Sequence, residues 1–423
     1  MQVTGRVDER FARFMDGFAP FADKTTFAVA LSGGADSTAL CLTAKKYADK
    51  NGLNVLALIV DHRLRPASTQ EARNAAAQCR NIGVPCEILT IENPPRARIE
   101  ETARKLRYEL LFDACKRRKC FYLLTGHHAQ DQAETFLMRQ SRKSAARGLA
   151  GIGACDSFDF GLLLRPLLDC FPAELKAYNT ENGLSWAQDE TNESDAFERS
   201  RLRKSLTKAQ ISNALQAVRL YAGERAQSED EETDFLARHA FFDKSGVVFL
   251  NKAAAQSGLR AAWLGDLLRF AGQKPYAPSP ESLQNQTDRL RRADFRGASL
   301  GGCFISPCGQ DRLYVCREAA SMPEIHYENA RTLRYEQFTF ALSAAFTGEI
   351  RPLGEAKLPE KVDSRLPKRC FRSLPAFFDK QGLFLVPHLR YKRESVACET
   401  AFTPLRSAGR DFRWTFNKAV KSE

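Results

Sequence analysis

The sequence lacks any apolar run near the roughly 20 residues that a membrane-spanning helix requires. Its first residues, MQVTGRVDERFARF, are polar and charged and contain no apolar core typical of a signal peptide. It also has no internal repeat and no low-complexity segment. These absences predict a cytoplasmic protein that makes no membrane contact.

Closely spaced cysteine pairs are absent as well. None of the twelve cysteines falls into a C-x-x-C pair. Cys115 and Cys120, like Cys303 and Cys308, are separated by four residues, and no second pair completes a zinc site. We therefore expect no structural metal, and we expect the cysteines to be small buried side chains in a reducing compartment.

Acidic residues are outnumbered by basic ones. Sixty-three Lys and Arg against 51 Asp and Glu give a net charge of +12. A basic excess favours a polyanionic partner such as nucleic acid, because phosphate contacts release counterions. A solvated basic surface that serves solubility is the alternative interpretation.

The first half of the chain alternates short apolar runs with amphipathic stretches, which predicts an α/β domain with a parallel sheet and helices on both sides. Strands are predicted at 26–31, 53–60, 86–91 and 120–125, and helices at 36–49, 70–82, 99–118 and 129–139. The run 53–60 is almost continuously apolar, as expected of a strand buried on both faces.

The pattern changes after about residue 203. Helices are predicted at 204–238, 253–271 and 283–293, followed by a hairpin at 302–305 and 312–316. The acidic segment 228–234 is expected to be solvated. Short alternating segments from about residue 322 indicate a small β-rich region. We therefore predict three domains: an α/β domain at 1–204, a mostly helical middle domain at 205–320 and a small β-rich domain at 321–423.

A phosphate-binding loop is predicted at 32–37, where Ser32, Gly33, Gly34, Ala35, Asp36 and Ser37 separate the first strand from the first helix. Glycines permit close approach of backbone N–H groups, hydroxyls donate hydrogen bonds, and the helix N-terminus favours anions. The loop has no Lys of the G-x-x-x-x-G-K-[ST] type and no G-x-G-x-x-G spacing. Its carboxylate would repel bare phosphate, so we expect Mg²⁺ to bridge Asp36 and a nucleotide.

A second polar cluster, GHHAQDQAET at 126–135, follows the fourth predicted strand and should lie at the same sheet edge. At about 100° per residue, His127, Asp131 and Glu134 would share one helical face. Two carboxylates and a histidine suit an amine substrate or the Mg²⁺ of a nucleotide. The simpler alternative is a helix start in which Asp131 complements the helix dipole.

Together with SGGADS and GHHAQDQAET, further motifs carry a resemblance to the tRNA(Ile)-lysidine synthetase family of PP-loop ATP pyrophosphatases. The resemblance covers about 27–203 and weakens to general layout beyond. These motifs are V-D-H-R-L-R at 60–65, A-R-x-x-R-Y at 103–108, R-P-L-L at 165–168, W-x-x-D-x-T-N at 186–192 and R-S-R-L-R at 199–203.

This resemblance implies an adenine-nucleotide alpha-hydrolase-like fold and an enzyme that uses ATP and Mg²⁺ to adenylate the wobble cytidine of tRNA(Ile) with a CAU anticodon. Free L-lysine would then displace AMP, with no obligate protein partner. Asp36 and His127 would act in adenylation, with Arg199 or Arg203 steadying the intermediate. The resemblance also implies that Asp131 and Glu134 bind lysine, that both later domains bind tRNA, and that the tRNA backbone is contacted by Arg104, Arg107, Arg142, Lys143 and Arg147.

Three departures from the family pattern stand out. Gln130 replaces a second aspartate and Ser200 replaces an asparagine, while a glycine-rich stretch becomes the more basic 142–149.

Two other enzyme functions are alternatives to lysidine synthesis. One is a tRNA thiolase of the same loop class, which usually needs paired cysteines, and the other is an amidotransferase-type ATP pyrophosphatase with a glutaminase partner. A non-enzymatic RNA-binding module would not require a phosphate loop.

Overall fold

The computed structural model describes residues 6–64, 67–92, 99–142, 144, 146–158, 160–187, 198–274, 276–358, 362 and 364–402. Side chains of 99–101 and 198–200 lie outside this description. The chain divides into two compact units. The N-terminal unit contains the described residues up to Gln227, and the C-terminal unit contains those from Ser228 onward.

The N-terminal unit alternates helices and strands. Its strands are β1 (Thr26–Leu31), β2 (Asn54–Asp61), β3 (Cys86–Thr90), β4 (Tyr122–Leu124), β5 (Cys155–Phe158) and β6 (Gly161–Leu164). Its helices are α1 (Val7–Asp16), α2 (Ala35–Asn51), α3 (Ser68–Asn81), α4 (Ile99–Arg118), α5 (Ala129–Ser141), α6 (Ala146–Leu149), α7 (Pro172–Glu181), α8 (Glu198–Ser205) and α9 (Lys208–His239), which continues past Gln227.

These strands form one sheet in the order β3-β2-β1-β4-β6-β5. All neighbours are parallel except β5, which pairs antiparallel with β6. Alternate residues of β1 enter two different cores: Phe27 and Val29 on one face, Ala28 and Ala30 on the other. The predicted parallel α/β domain is confirmed, with an antiparallel edge strand in addition. Its β1–α2 and β4–α5 loops both leave the carboxyl edge of the sheet, where ligands bind in such folds.

The C-terminal unit contains helices and two antiparallel sheets. Its helices are α10 (Lys252–Gly258), α11 (Ala261–Gly272), α12 (Pro280–Arg291) and α13 (Lys368–Phe371). One sheet has the order β7-β8-β11-β10-β9, from β7 (Ala240–Phe242), β8 (Val248–Asn251), β9 (Ala298–Leu300), β10 (Cys303–Cys308) and β11 (Arg312–Arg317). The other has the order β12-β13-β14-β15-β16 with β17 beside β13, from β12 (Ile325–Tyr335), β13 (Phe338–Pro352), β14 (Pro375–Asp379), β15 (Gly382–Val386), β16 (Tyr391–Lys392) and β17 (Cys398–Phe402).

The helical middle and β-rich end are thus confirmed, whereas one local prediction is wrong and another holds only in part. The helix predicted at 253–271 is divided at Leu259, whose extended backbone (φ −67°, ψ 125°) ends α10. The acidic segment 228–234, predicted to be a solvated face or loop, lies within α9 with Asp230 and Asp234 exposed, but Glu229 and Glu232 are buried on the other side of that helix. Among the helices that the structure describes, none is long and apolar enough to cross a membrane.

Candidate functional site

The phosphate loop joins β1 to α2 and is organised by its own serines. Gly33 has φ +83°, a left-handed conformation that favours glycine. The Ser37 hydroxyl accepts the Ser32 N–H at 3.1 Å, and the two serine hydroxyl oxygens lie 3.0 Å apart. Gly34 is the N-cap of α2, so the positive end of this 17-residue helix faces the loop. The predicted phosphate-binding residues therefore form one compact loop at a helix N-terminus.

Neighbouring segments hold the phosphate loop on two sides. The buried Asn179 side chain of α7 donates to the Ala35 carbonyl at 2.8 Å, and the Ala187 N–H donates to the Gly33 carbonyl at 2.9 Å. Gly126 lies so close to α2 that a Cβ there would be 3.2 Å from the Ser37 amide nitrogen. These contacts fix the loop before any ligand binds, which is the preorganisation that a phosphate site needs.

Asp36 lies in the first turn of α2, and its carboxylate is largely withdrawn from solvent. Its Oδ1 atom is buried and has no hydrogen-bond partner within the described residues. Burial raises the pKa of the Asp36 carboxyl above its ordinary value, while the neighbouring His128 opposes this effect. A carboxylate with an unsatisfied buried oxygen beside an anion-binding loop suits a cation that arrives with a nucleotide.

His127 of the second cluster does not lie on the helical face where it was predicted. α5 begins at Ala129, so His127 precedes the helix and does not share its face with Asp131 and Glu134. That part of the helical-face prediction is wrong, because the chain is still extended at His128. The Nδ1 atom of His127 lies 3.1 Å from the Thr125 hydroxyl.

His128 is instead the N-cap residue of α5, and sequence reasoning missed it. Its Nδ1 accepts the Asp131 N–H at 3.2 Å, and the Asp131 carboxylate accepts the His128 N–H at 3.0 Å. A neutral ring that accepts at Nδ1 carries its proton on Nε2, and Nε2 lies 3.6 Å from Asp36 Oδ2. The spacing of His128 and Asp131 matches a capping box and could have indicated this role.

Asp131 and Glu134 lie together on α5 and face Arg203 of α8. Arg203 Nε is 2.7 Å from Glu134 Oε1, and Nη2 is 3.1 Å from Glu134 Oε2 and 3.4 Å from Asp131 Oδ1. The Glu134 side chain is fully buried, whereas one third of the Arg203 side chain is exposed. The hydrogen bond with Glu134 raises the pKa of the Arg203 guanidinium above its ordinary value. The pair that was predicted to bind an ammonium group thus already holds a guanidinium.

The other predicted residues are distributed around this cluster. The Arg199 and Ser200 side chains and all of Lys143 lie outside the described residues, as do 188–197. Arg104 is exposed on α4 and packs over Tyr108, with 5.2 Å between its guanidinium carbon and the ring centroid. Arg107 is partly buried, and burial lowers its pKa. The remaining two are Arg142, exposed at the end of α5, and Arg147, partly buried in α6.

The segment that replaces the glycine-rich stretch is anchored to α5. Arg139 donates to the carbonyls of Gly148 and Gly151 at 2.8 and 2.9 Å. The buried Gln132 side chain bonds the Ile152 backbone in both directions. Gln130 is partly buried on the same helix. Side-chain hydrogen bonds therefore join α5 to the segment after α6.

The strand order, the S-G-G-x-D-S loop and the carboxylate cluster at one sheet edge define a PP-loop ATP-binding domain. A family model described as a PP-loop domain matches residues 4–210. The tRNA(Ile)-lysidine synthase of Hyphomonas neptunium is 33% identical over 302 residues, which are 69% of this chain and 81% of that protein. The chain therefore belongs to the tRNA(Ile)-lysidine synthase family and is an enzyme of the PP-loop class.

Two further similar proteins are one relative of known sequence and one solved structure. The tRNA(Ile)-lysidine synthase of Brucella melitensis biotype 2 is 29% identical over 402 residues, 88% of each chain. Among solved structures, the U34-tRNA thiolase NcsA of Methanococcus maripaludis aligns with a TM-score of 0.45 and 17% identity, over 52% of this chain and 78% of that chain.

Proposed function

We propose that this enzyme uses ATP to attach lysine to C2 of the wobble cytidine in tRNA(Ile) with a CAU anticodon. Two observations support the proposal: the family membership, and the position of Asp131 and Glu134 beside an organised phosphate loop. His128 lies between them, because its Nε2 is 3.6 Å from Asp36 Oδ2 and its Nδ1 accepts the Asp131 N–H. The loop suits a nucleotide and the carboxylate pair suits an amine. Their adjacency suits a reaction in which an activated base meets an amine nucleophile.

The first step would be adenylation. The C2 carbonyl oxygen of cytidine attacks the α-phosphate of ATP, a new O–P bond forms, and the bond to pyrophosphate breaks. An amide-like oxygen is a poor leaving group, and adenylation converts it into AMP. The 32–37 loop and the α2 N-terminus would hold the departing pyrophosphate, with His127 near the reacting α-phosphate.

The second step would be displacement of AMP. The ε-ammonium group of lysine loses one proton to solvent, the neutral ε-amine attacks C2, a C–N bond forms, and the C–O bond to AMP breaks. Asp131 and Glu134 would bind the ammonium form of lysine before attack, since both carboxylates lie on one side of α5. The position of Arg203 beside them favours Arg203 as the arginine that steadies the adenylate; the Arg199 side chain lies outside the described residues.

The residues present fit a magnesium ion delivered with ATP. Mg²⁺ usually binds one or two carboxylates together with phosphate oxygens and water. Asp36 offers one buried unpartnered oxygen at the phosphate loop, and no group of three metal-binding side chains occurs among the residues that the structure describes. Asp36 would therefore hold an ion that the nucleotide completes, and that ion would neutralise charge on the phosphates.

The tRNA would be held through its backbone by basic side chains near this site, since the whole chain carries +12. We assign this role to Arg104, Arg107, Arg142, Lys143 and Arg147. A cytoplasmic location follows from this substrate and stays a prediction.

The experiment that tests the proposal supplies ATP, one labelled amino acid and a tRNA(Ile) transcript with either CAU or UAU as anticodon. We expect lysine alone to enter the CAU transcript, with one AMP released per lysine incorporated. Incorporation of a different amino acid, or equal incorporation into the UAU transcript, would refute the substrate assignment.

A further inference from the structure

The ammonium site assigned above already contains a cation of the protein itself. Arg203 contacts both oxygens of Glu134, at 2.7 and 3.1 Å, and one oxygen of Asp131 at 3.4 Å. This guanidinium therefore occupies the place in which an amine substrate would meet the two carboxylates.

Because Glu134 is buried, its ion pair with Arg203 cannot be broken without a replacement cation. The Glu134 side chain has no exposed surface, and both of its oxygens are engaged by Arg203. A buried carboxylate that loses its partner is strongly destabilised, so Glu134 keeps Arg203 until another cation replaces it. An incoming ammonium can contact Glu134 only by taking the place of the guanidinium.

The phosphate loop offers the Arg203 side chain a second position. One third of its side chain is exposed, and its charge already acts on Asp36 at the phosphate loop. The other charged or titratable groups around Asp36 are His128 and Asp131 on the α5 side and Lys176 on α7. Phosphates bound at the loop would add negative charge on the Asp36 side and would attract the guanidinium toward them.

We infer that Arg203 is an internal placeholder that closes the amine site until a nucleotide phosphate draws it away. The inference rests on the proposed function. It gives one arginine two successive partners: Glu134 in the empty enzyme, and the phosphate of the bound nucleotide or adenylate when the amine enters. The exchange would make nucleotide binding precede amine binding, so the amine would enter the site only when the enzyme already holds the nucleotide that activates the base.

This inference predicts a measurable coupling between two ligands. Lysine should bind the wild-type enzyme about tenfold more tightly when Mg²⁺ and a non-hydrolysable ATP analogue, blocked between the α- and β-phosphates, are present. Because coupling between binding sites is reciprocal, lysine should strengthen analogue binding by the same factor. Both affinities can be measured by titration calorimetry, without tRNA and without turnover, on the unmodified full chain.

A variant then identifies Arg203 as the origin of the coupling. Arg203→Gln keeps an N–H donor for Glu134 but removes the positive charge, so lysine should bind the nucleotide-free variant about tenfold more tightly than wild type. The analogue should no longer add to that affinity. Arg201→Gln changes an exposed arginine on the same helix and should behave as wild type.

The outcomes separate the inference from the proposed function. Equal lysine affinity with and without the analogue in the wild-type enzyme overturns the placeholder role even if lysine still enters tRNA. So does a nucleotide-free lysine affinity in Arg203→Gln that is no tighter than in wild type. Lack of lysine binding to every form, together with lack of incorporation into tRNA, overturns both. If Arg203→Gln does not fold, the reciprocal coupling in the wild-type enzyme decides the inference alone.

Discussion

Gly126 connects the fold to the chemistry, because it is the point at which the β4–α5 loop touches the phosphate loop. A Cβ at this position would lie 3.2 Å from the Asp36 carbonyl carbon and the Ser37 nitrogen, and 3.3 Å from the Asp36 carbonyl oxygen. All three are backbone atoms in the first turn of α2, so no side chain can rotate away. Gly126→Ala must therefore move the two loops apart.

The size of the effect follows from these distances. Ordinary contacts with a Cβ begin at 3.4 Å, so relief requires a displacement of about 0.1–0.2 Å. If a misplacement of 1 Å costs about 100-fold in rate, this shift costs about twofold in kcat/KM for ATP. Overpacking of this kind costs about 1–3 kcal/mol, which lowers Tm by about 2–12 °C for a unit of this size.

The assay is the initial rate of AMP release against ATP concentration, with saturating lysine and tRNA, alongside thermal unfolding. Gly153→Ala is the matched control, because its Cβ would lie 3.4 Å from Asp156 Oδ1, an ordinary contact. An unchanged kcat/KM for ATP in Gly126→Ala would refute the reasoning. So would an equal loss in both variants, since the loss would then not arise at the phosphate loop.

Three further results are expected. Asp36→Ala should abolish AMP formation without lowering Tm, since its buried oxygen has no partner to lose; near-normal AMP release would exclude a metal-bridging role. Asp131→Asn and Glu134→Gln should raise the KM for lysine much more than that for ATP, and a change in the ATP value alone would instead place this pair on Mg²⁺. Filter binding of tRNA at several salt concentrations should show a shallower salt dependence when the basic positions 142, 143 and 147 are all changed to Ala, by about 0.7–0.9 log units per lost phosphate contact for each tenfold rise in salt, with ATP affinity unchanged. An unchanged slope would mean that this segment does not touch the RNA backbone.

Local patterns were sufficient to predict much of the N-terminal unit. The bounds of β1 and α4 agree with the prediction, because an apolar strand and a long amphipathic helix are each specified by consecutive residues. The phosphate loop could be placed for the same reason, since its glycines and serines are adjacent in sequence. The β5–β6 hairpin was missed, as each strand has only four residues and presents too short a pattern.

The contacts that define the site could not be predicted in this way. Arg203 and Glu134 are 69 residues apart in the sequence, so no local periodicity predicts that they pair. α5 begins at Ala129, as predicted, but the helical spacing of about 100° per residue was applied to His127, which precedes the helix. His128, the N-cap residue, is the histidine that faces Asp36. Asn179 on α7 contacts Ala35 across 144 residues, so its role emerges only from the packing of α7 on α2.

The most direct measurement is mass spectrometry of the nucleosides released from a tRNA(Ile) transcript with a CAU anticodon after incubation with the enzyme, ATP, Mg²⁺ and lysine. We expect the wobble cytidine alone to gain the mass of one lysine less one water, and we expect Asp36→Ala to leave it unmodified. An unmodified cytidine after incubation with active, ATP-binding enzyme, or a gain in mass that corresponds to sulfur, would contradict the proposed reaction.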